Sequence, residues 1–183
     1  TDYFVGIKGL RGVGKTTLLL QIARTYKNPL YFSADAIYLS NSPIYDIVKH
    51  AEKNGYDAFF IDEIHNRKEW TFELKTLYDE GIRNLFFSGS SAIELRKGAD
   101  LSRRTIFFDL PPATFREYLH IKNNIILPLL SMDEIISNKK SVLPKYADAY
   151  RYFEEYSEYG GFLYDKKEFD LKLSNAITKI ASI

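Results

Sequence analysis

The stretch GLRGVGKTTLLLQIA, from Gly9 to Ala23, constrains the fold more than any other part of the chain. Gly9, Gly12 and Gly14 fall within six residues, and Lys15, Thr16 and Thr17 follow at once. Glycine opens backbone dihedrals closed to other residues, so successive N–H groups can turn inward around an anion. Leu18, Leu19, Ile22 and Ala23 then recur at helical spacing, which predicts a helix. Ahead of the glycines, YFVGI (Tyr3 to Ile7) reads as a short buried strand. Strand, glycine turn and helix in that order commit the chain to an α/β architecture.

The spacing Gly9-x-x-x-x-Gly14-Lys15-Thr16 is that of the phosphate-binding P-loop. Gly9, Arg11, Gly12, Val13, Gly14, Lys15, Thr16 and Thr17 are therefore the predicted nucleotide-binding residues. Lys15 supplies a point charge for the β- and γ-phosphates. Thr16 offers a hydroxyl to Mg²⁺, which keeps several waters while bridging protein and phosphate. The helix that follows directs its N-terminal dipole at the same place.

Apolar runs recur along the rest of the first half. PLYFSA (Pro29 to Ala34), DAFFIDE (Asp57 to Glu63), NLFFSGS (Asn84 to Ser90) and TIFFDL (Thr105 to Leu110) are predicted strands. Helices are expected over Pro43 to Asn54, closing at Gly55, and over Lys68 to Glu80, closing at Gly81. Alternation of this kind indicates a parallel sheet, with ligands at the carboxyl ends of its strands. The polar clusters fall at those ends: the P-loop, Asp35, Asp62-Glu63, and Ser88 to Ser91. The fold class expected is a P-loop NTPase three-layer sandwich with a five-stranded parallel sheet, followed by the start of a small helical lid. Residues 1–112 form the predicted core, and 113–183 the lid region. Thr114 with Glu117 reads as a capping box for a short helix to Leu119. Lys145 to Tyr159 is expected to be helical, ending at Gly160-Gly161.

Asp62 and Glu63 stand side by side at a strand end. Neighbours on a strand point to opposite faces, so the two carboxylates are expected to differ in role. Asp62 suits a place at Mg²⁺ near Thr16, direct or through another group. Glu63 suits orienting or deprotonating an attacking water. In SGSS, Ser90 is the first candidate to touch the γ-phosphate or that water, and Ser88 the second; equally, these serines would cap a helix at Ala92 to Leu95. Arg104, with Arg103 as its alternative, could serve as a finger for a neighbouring subunit's nucleotide, or simply form a surface salt bridge. A lone histidine is more often a satisfied polar side chain than a ligand, so His65 is left out of the site.

Composition closes off other classes. Of 183 residues, 45% are hydrophobic, which excludes a disordered chain. The net charge of +1 argues for no global nucleic-acid field. With no cysteine, disulfides and thiolate metal sites are excluded, and a reducing cytoplasmic setting fits. No apolar run is long enough to span a bilayer. The chain begins almost on its first strand and ends, at SNAITKIASI, without a clear cap, as a piece of a longer protein would.

Taken together, GLRGVGKTTLL, FFIDEIH, the Trp70 region with LKTLYD, LFFSGSS, LSRRTIFFDLPPATFREYL and GGF at Gly160 to Phe162 resemble the AAA+ ATPases. They look most like an archaeal and bacterial branch of uncharacterised AAA-type ATP-binding proteins, whose ATPase core precedes a C-terminal domain of unknown function. The resemblance spans roughly Tyr3 to Phe162, and its most specific part is the run from SGSS to FREYL. It implies ATP as ligand, Mg²⁺ as cofactor, and hydrolysis to ADP and phosphate coupled to a partner or to that further domain. Lys15 and Thr16 carry over as phosphate and Mg²⁺ residues, Asp62 as the Mg²⁺-associated acid and Glu63 as the catalytic glutamate. Ser90 falls at or beside the first sensor, where many relatives have asparagine, and Arg104 at the finger position. A homo-oligomer is implied, with a protein or nucleic-acid partner left open. Two other readings stay open: a nucleotide-dependent switch or scaffold with negligible turnover, and a small-molecule kinase. The Asp-Glu pair and the arginine before strand five argue against the kinase.

Overall fold

The computed structural model describes residues 2–39, 41–89, 101–137, 146–147, 149–159 and 161–163. The chain divides into two compact units, Thr1–Pro111 and Pro112–Ile183. In the first, strands β1 (Phe4–Lys8), β2 (Pro29–Ser33), β3 (Ala58–Asp62), β4 (Leu85–Gly89) and β5 (Thr105–Asp109) alternate with helices α1 (Lys15–Ala23), α2 (Ile44–Lys53) and α3 (Trp70–Asp79). The five strands form one sheet in the order β2-β3-β4-β1-β5, and every pairing is parallel. This is the α/β architecture expected from the sequence.

Every residue of β3 and of β4 is buried, as continuous apolar runs covered on both faces must be. Alternation along these strands feeds two separate cores. Phe59, Ile61, Leu85 and Phe87 pack with Ile44 and Val48 of α2 and with Trp70, Leu74 and Leu77 of α3. Ala58, Phe60 and Phe86 pack with Leu19 and Ala23 of α1. The rings of Phe60 and Phe86 stack at 4.8 Å between centroids. The sheet thus lies between α1 on one face and α2 with α3 on the other, and both cores fix β3 and β4 at the centre.

Helix ends are secured in different ways. Pro43 begins α2 without a side-chain cap; instead the Tyr45 N–H donates to Glu73 of α3 at 2.7 Å, so one helix satisfies the open donors of its neighbour. Gly55 and Gly81 follow α2 and α3 with φ of 85° and 92°, the left-handed closure that the sequence predicts.

The second unit contains α4 (Phe115–Asn123), α5 (Met132–Ser137) and α6 (Phe153–Tyr159). Thr114 caps α4 in a complete capping box with Glu117. The helix runs past Leu119 to Asn123, where Asn124 closes it in a left-handed conformation. Phe115 lies at 5.2 Å from the rings of both Phe153 and Tyr156, and Tyr118 at 5.5 Å from Tyr156. The Tyr156 hydroxyl donates to the Ala113 carbonyl at 3.1 Å. The single helix expected over Lys145 to Tyr159 is interrupted. The Tyr152 N–H bonds three residues back to Ala149, which tightens the chain into a turn before α6 begins. Helix α5 is an addition to the sequence reading.

Candidate functional site

The loop after β1 adopts the conformation its glycines allow. Gly12 and Gly14 have φ of 87° and 103°. A Cβ on Gly9 would run into the Leu110 carbonyl, so this glycine also permits close approach of two backbones. Gly14 is the N-cap of α1 and brings no side chain to cap it, and the first turn of α1 holds no acidic residue. The open N–H groups and the positive end of the helix dipole therefore remain available to an anion.

Lys15 is 4% exposed. Its ammonium donates to the carbonyls of Gly9 at 3.0 Å and Leu10 at 2.9 Å, which leaves one of its three donors for a phosphate oxygen. Burial lowers its pKa below the ordinary lysine value, while the nearby carboxylates of Glu63 and Asp62 oppose that shift and Arg11 adds to it. Arg11, Thr16 and Thr17 are exposed, and Gly12, Val13 and Gly14 half-buried.

Asp62 is the centre of the arrangement. It ends β3, and only 3% of it is exposed. Its Oδ2 accepts from Thr16 Oγ1 at 2.5 Å and from the Tyr31 hydroxyl at 3.1 Å. Its Oδ1 accepts from the Ser88 hydroxyl and from the Glu63 N–H, the latter at 3.1 Å. Residues from α1, β2, β3 and β4 thus meet on one carboxylate. A carboxylate offers about four lone-pair positions, so these donors fill it. Thr16 gives its only proton to Asp62, which leaves the hydroxyl lone pairs to face a cation. A hard cation with oxygen ligands, such as Mg²⁺, fits Thr16 as the direct ligand, with Asp62 acting through it.

Glu63 is not on the strand. It takes a left-handed conformation, φ 50° and ψ 42°, so strand alternation is not what separates the two carboxylates. The turn does, and it is held in place by its hydrogen bonds. The Glu63 N–H is shared between Asp62 and Ser88 Oγ, the latter at 3.3 Å. Its carbonyl accepts from the Asn66 N–H at 3.1 Å and from the Asn66 side chain at 3.0 Å. A non-glycine residue in this region costs about 1 kcal/mol or more, and such outliers gather where a side chain must be aimed. The Glu63 carboxylate lies 3.5 Å from His65 Nδ1.

Of the other predicted residues, Ser90 and the helix expected at 92–95 lie outside the described residues. Ser88 is fully buried and committed to Asp62. Arg104 precedes β5 at the amino end of the sheet, where its carbonyl accepts from the Phe4 N–H at 2.8 Å. The P-loop leaves β1 at the other end, about five residues or roughly 16 Å along the strand. Arg104 therefore does not belong to its own chain's phosphate site. Its guanidinium binds Asp79, while Arg103 is exposed.

Two residues of the site escaped the sequence reading. His65 stands alone as a histidine in the sequence, yet it faces Glu63. Tyr31 lies within PLYFSA, which the sequence offers only as a strand. The parallel register holds the missed signal: Ser33 pairs with Asp62 and Tyr31 with Phe60, so Tyr31 stands two positions below the acid on the same face. Burial, then the charge and hydrogen bond of Asp62, push the Tyr31 phenol up to about 12, so it remains a donor. A cleft of about 690 Å³ between β2 and α2, lined by Asn28, Leu30, Asp46, His50, Asn54 and Tyr56, shares none of these residues. Among the described residues no helix is long and apolar enough to cross a membrane.

An uncharacterised protein of Methanocaldococcus jannaschii is 38% identical over 156 residues, covering 78% of this chain. The match covers 33% of that relative, so the chain spans about a third of its length. Among solved structures, PCH-2 of C. elegans aligns over 80% of this chain and 48% of its own, with 13% identity and a TM-score of 0.47. The family described as AAA domain matches residues 1–119. The chain belongs to that family, and is a nucleotide-binding domain of the AAA type.

Proposed function

We propose that this domain hydrolyses ATP to ADP and phosphate with Mg²⁺, and that nucleotide state alters its contacts with a partner or with a further domain of a longer protein. The observation that carries this reading is the meeting of Thr16 and Asp62 beside buried Lys15, with Glu63 turned off the end of the same strand.

In this reading Lys15 and the N–H groups of the loop and of α1 bind the triphosphate and orient it. Thr16, steadied by Asp62, would hold the Mg²⁺, which supplies positive charge to the phosphate oxygens. Glu63 orients the attacking water and takes its proton as the general base. Arg104 would complete the site of a neighbouring copy, which makes the working form a homo-oligomer. Residues 1–112 are then the ATPase core, and 113–183 the start of a helical lid.

The test is phosphate release from ATP with Mg²⁺, measured per subunit across protein concentrations, in the wild type and in Glu63→Gln. Turnover that rises with concentration and disappears in Glu63→Gln, with binding retained, supports the proposal. Binding without turnover in either protein would replace it with a nucleotide-dependent switch.

A further inference from the structure

We propose that Tyr31 is a positioning residue that sets which divalent cation the phosphate site prefers: its hydroxyl occupies Asp62 and keeps that carboxylate from ligating the cation directly. The inference rests on the reading of Thr16 and Asp62 as a cation site.

The geometry is specific. Tyr31 OH and Thr16 Oγ1 share Asp62 Oδ2, at 3.1 and 2.5 Å. Ser88 and the Glu63 N–H take Oδ1. Two residues of strand rise span about 6.6 Å, roughly the reach of a tyrosine from Cα to hydroxyl. Tyrosine is thus long enough to touch Asp62 from the position beside Phe60. Tyr31 is 36% exposed, and a phenylalanine in its place would leave Oδ2 one donor short.

The consequence follows from coordination chemistry. Mg²⁺ holds its waters tightly and accepts few protein ligands, whereas Ca²⁺ takes six to eight oxygens and readily uses carboxylates. A filled Asp62 suits the first ion. An Asp62 with a free lone pair offers the second a ligand it would otherwise lack. Tyr31 thereby selects against cations that demand a carboxylate.

Equilibrium binding of ATP, followed by calorimetry without metal and across Mg²⁺ and Ca²⁺ concentrations, tests this in the wild type and in Tyr31→Phe. Metal-free ATP affinity should be the same in both, and Tyr31→Phe should stay folded, its metal-free unfolding midpoint lowered only by the loss of one hydrogen bond to Asp62. The ratio of half-saturating Ca²⁺ to half-saturating Mg²⁺ should fall about tenfold in Tyr31→Phe, the scale of one hydrogen bond to a charged group. An unchanged ratio, with metal-linked binding intact in the wild type, overturns this inference and leaves the functional reading standing. Wild-type binding indifferent to either metal removes the reading itself, and Tyr31's role with it. Loss of metal-free affinity or of folding in Tyr31→Phe would make Tyr31 structural and also overturn the proposal.

Discussion

Arg104 holds Asp79 with two hydrogen bonds, Nε to Oδ1 at 2.8 Å and Nη2 to Oδ2 at 3.0 Å. The pair joins the residue before β5 to the end of α3, at the amino end of the sheet, away from the P-loop. The same grip, first through its hydrogen bond and then through its charge, holds the Asp79 carboxyl below the ordinary carboxylate range. A finger at this position would reach a neighbouring copy's nucleotide only by giving up Asp79. Resting pair and active finger are then two states of one side chain.

If Arg104 acts in trans, Arg104→Ala and Glu63→Gln should each be inactive alone. Mixed together they should regain phosphate release, because some interfaces would combine an intact Glu63 with an intact Arg104. Asp79→Ala, by removing the carboxylate that pairs with the guanidinium, should move the concentration dependence of turnover to lower protein concentration. Failure to recover at every mixing ratio would confine Arg104 to the ion pair with Asp79.

Glu63→Gln keeps the shape of the side chain and removes its basicity. Turnover should fall by about 10²- to 10⁴-fold, the usual worth of a general base. ATP affinity should stay within a few-fold, since the Glu63 contacts to Asp62 and Ser88 run through its backbone N–H. Parallel calorimetry and phosphate release separate the two effects, and a matching loss in both would remove Glu63 from the chemistry.

Lys15→Ala should weaken ATP binding by roughly 10- to 100-fold, the range for hydrogen bonds to charged groups. The fold should survive, because the Gly9 and Leu10 carbonyls that Lys15 now satisfies lie in a half-buried to exposed loop. Unchanged affinity would detach the loop from phosphate binding.

Ser88 links the acid to the turn that carries Glu63. Ser88→Ala removes one donor from Asp62 and one acceptor from the Glu63 N–H, and should cost about 1–2 kcal/mol in denaturant unfolding. Because the Glu63 turn loses an anchor while the P-loop keeps its own, turnover should drop more than ATP affinity. A fall in affinity alone would place Ser88 in binding instead.

How far all this could be read in advance depended on which interactions were local. The apolar runs of β3 and β4, the glycine closures after α2 and α3, and the Thr114-Glu117 box are written in neighbouring residues; the strand ends and the ends of α2 and α3 differ from the reading by a residue or two, while α4 runs four residues past the expected Leu119. Glu63 was legible as a carboxylate but not as a left-handed turn, because that conformation is held by Ser88 from another strand and by Asn66. The role of Tyr31 depends on strand register, which residue type does not reveal. The pairing of Arg104 with Asp79 joins positions 25 residues apart. The turn before α6 had no warning in its aromatic-rich sequence, since neither glycine nor proline stands at 151 or 152.

The cap of α4 makes a stability prediction with a definite pH sign. The Glu117 carboxyl is drawn below its ordinary range by the backbone N–H of Thr114 first and its hydroxyl second. A carboxylate whose pKa is lowered on folding stabilises fully above its unfolded value and loses that contribution as pH falls through the folded one. The stability gap between wild type and Glu117→Gln should therefore hold steady from neutral pH down to about 4.5 and close below it. Thr114→Ala, which removes the N-cap oxygen, should cost about 1 kcal/mol at neutral pH. Urea unfolding of the whole chain at about pH 7 and about pH 3 measures both. A gap that stays open at the lower pH would mean that Glu117 stabilises α4 by packing and not through its charge on Thr114.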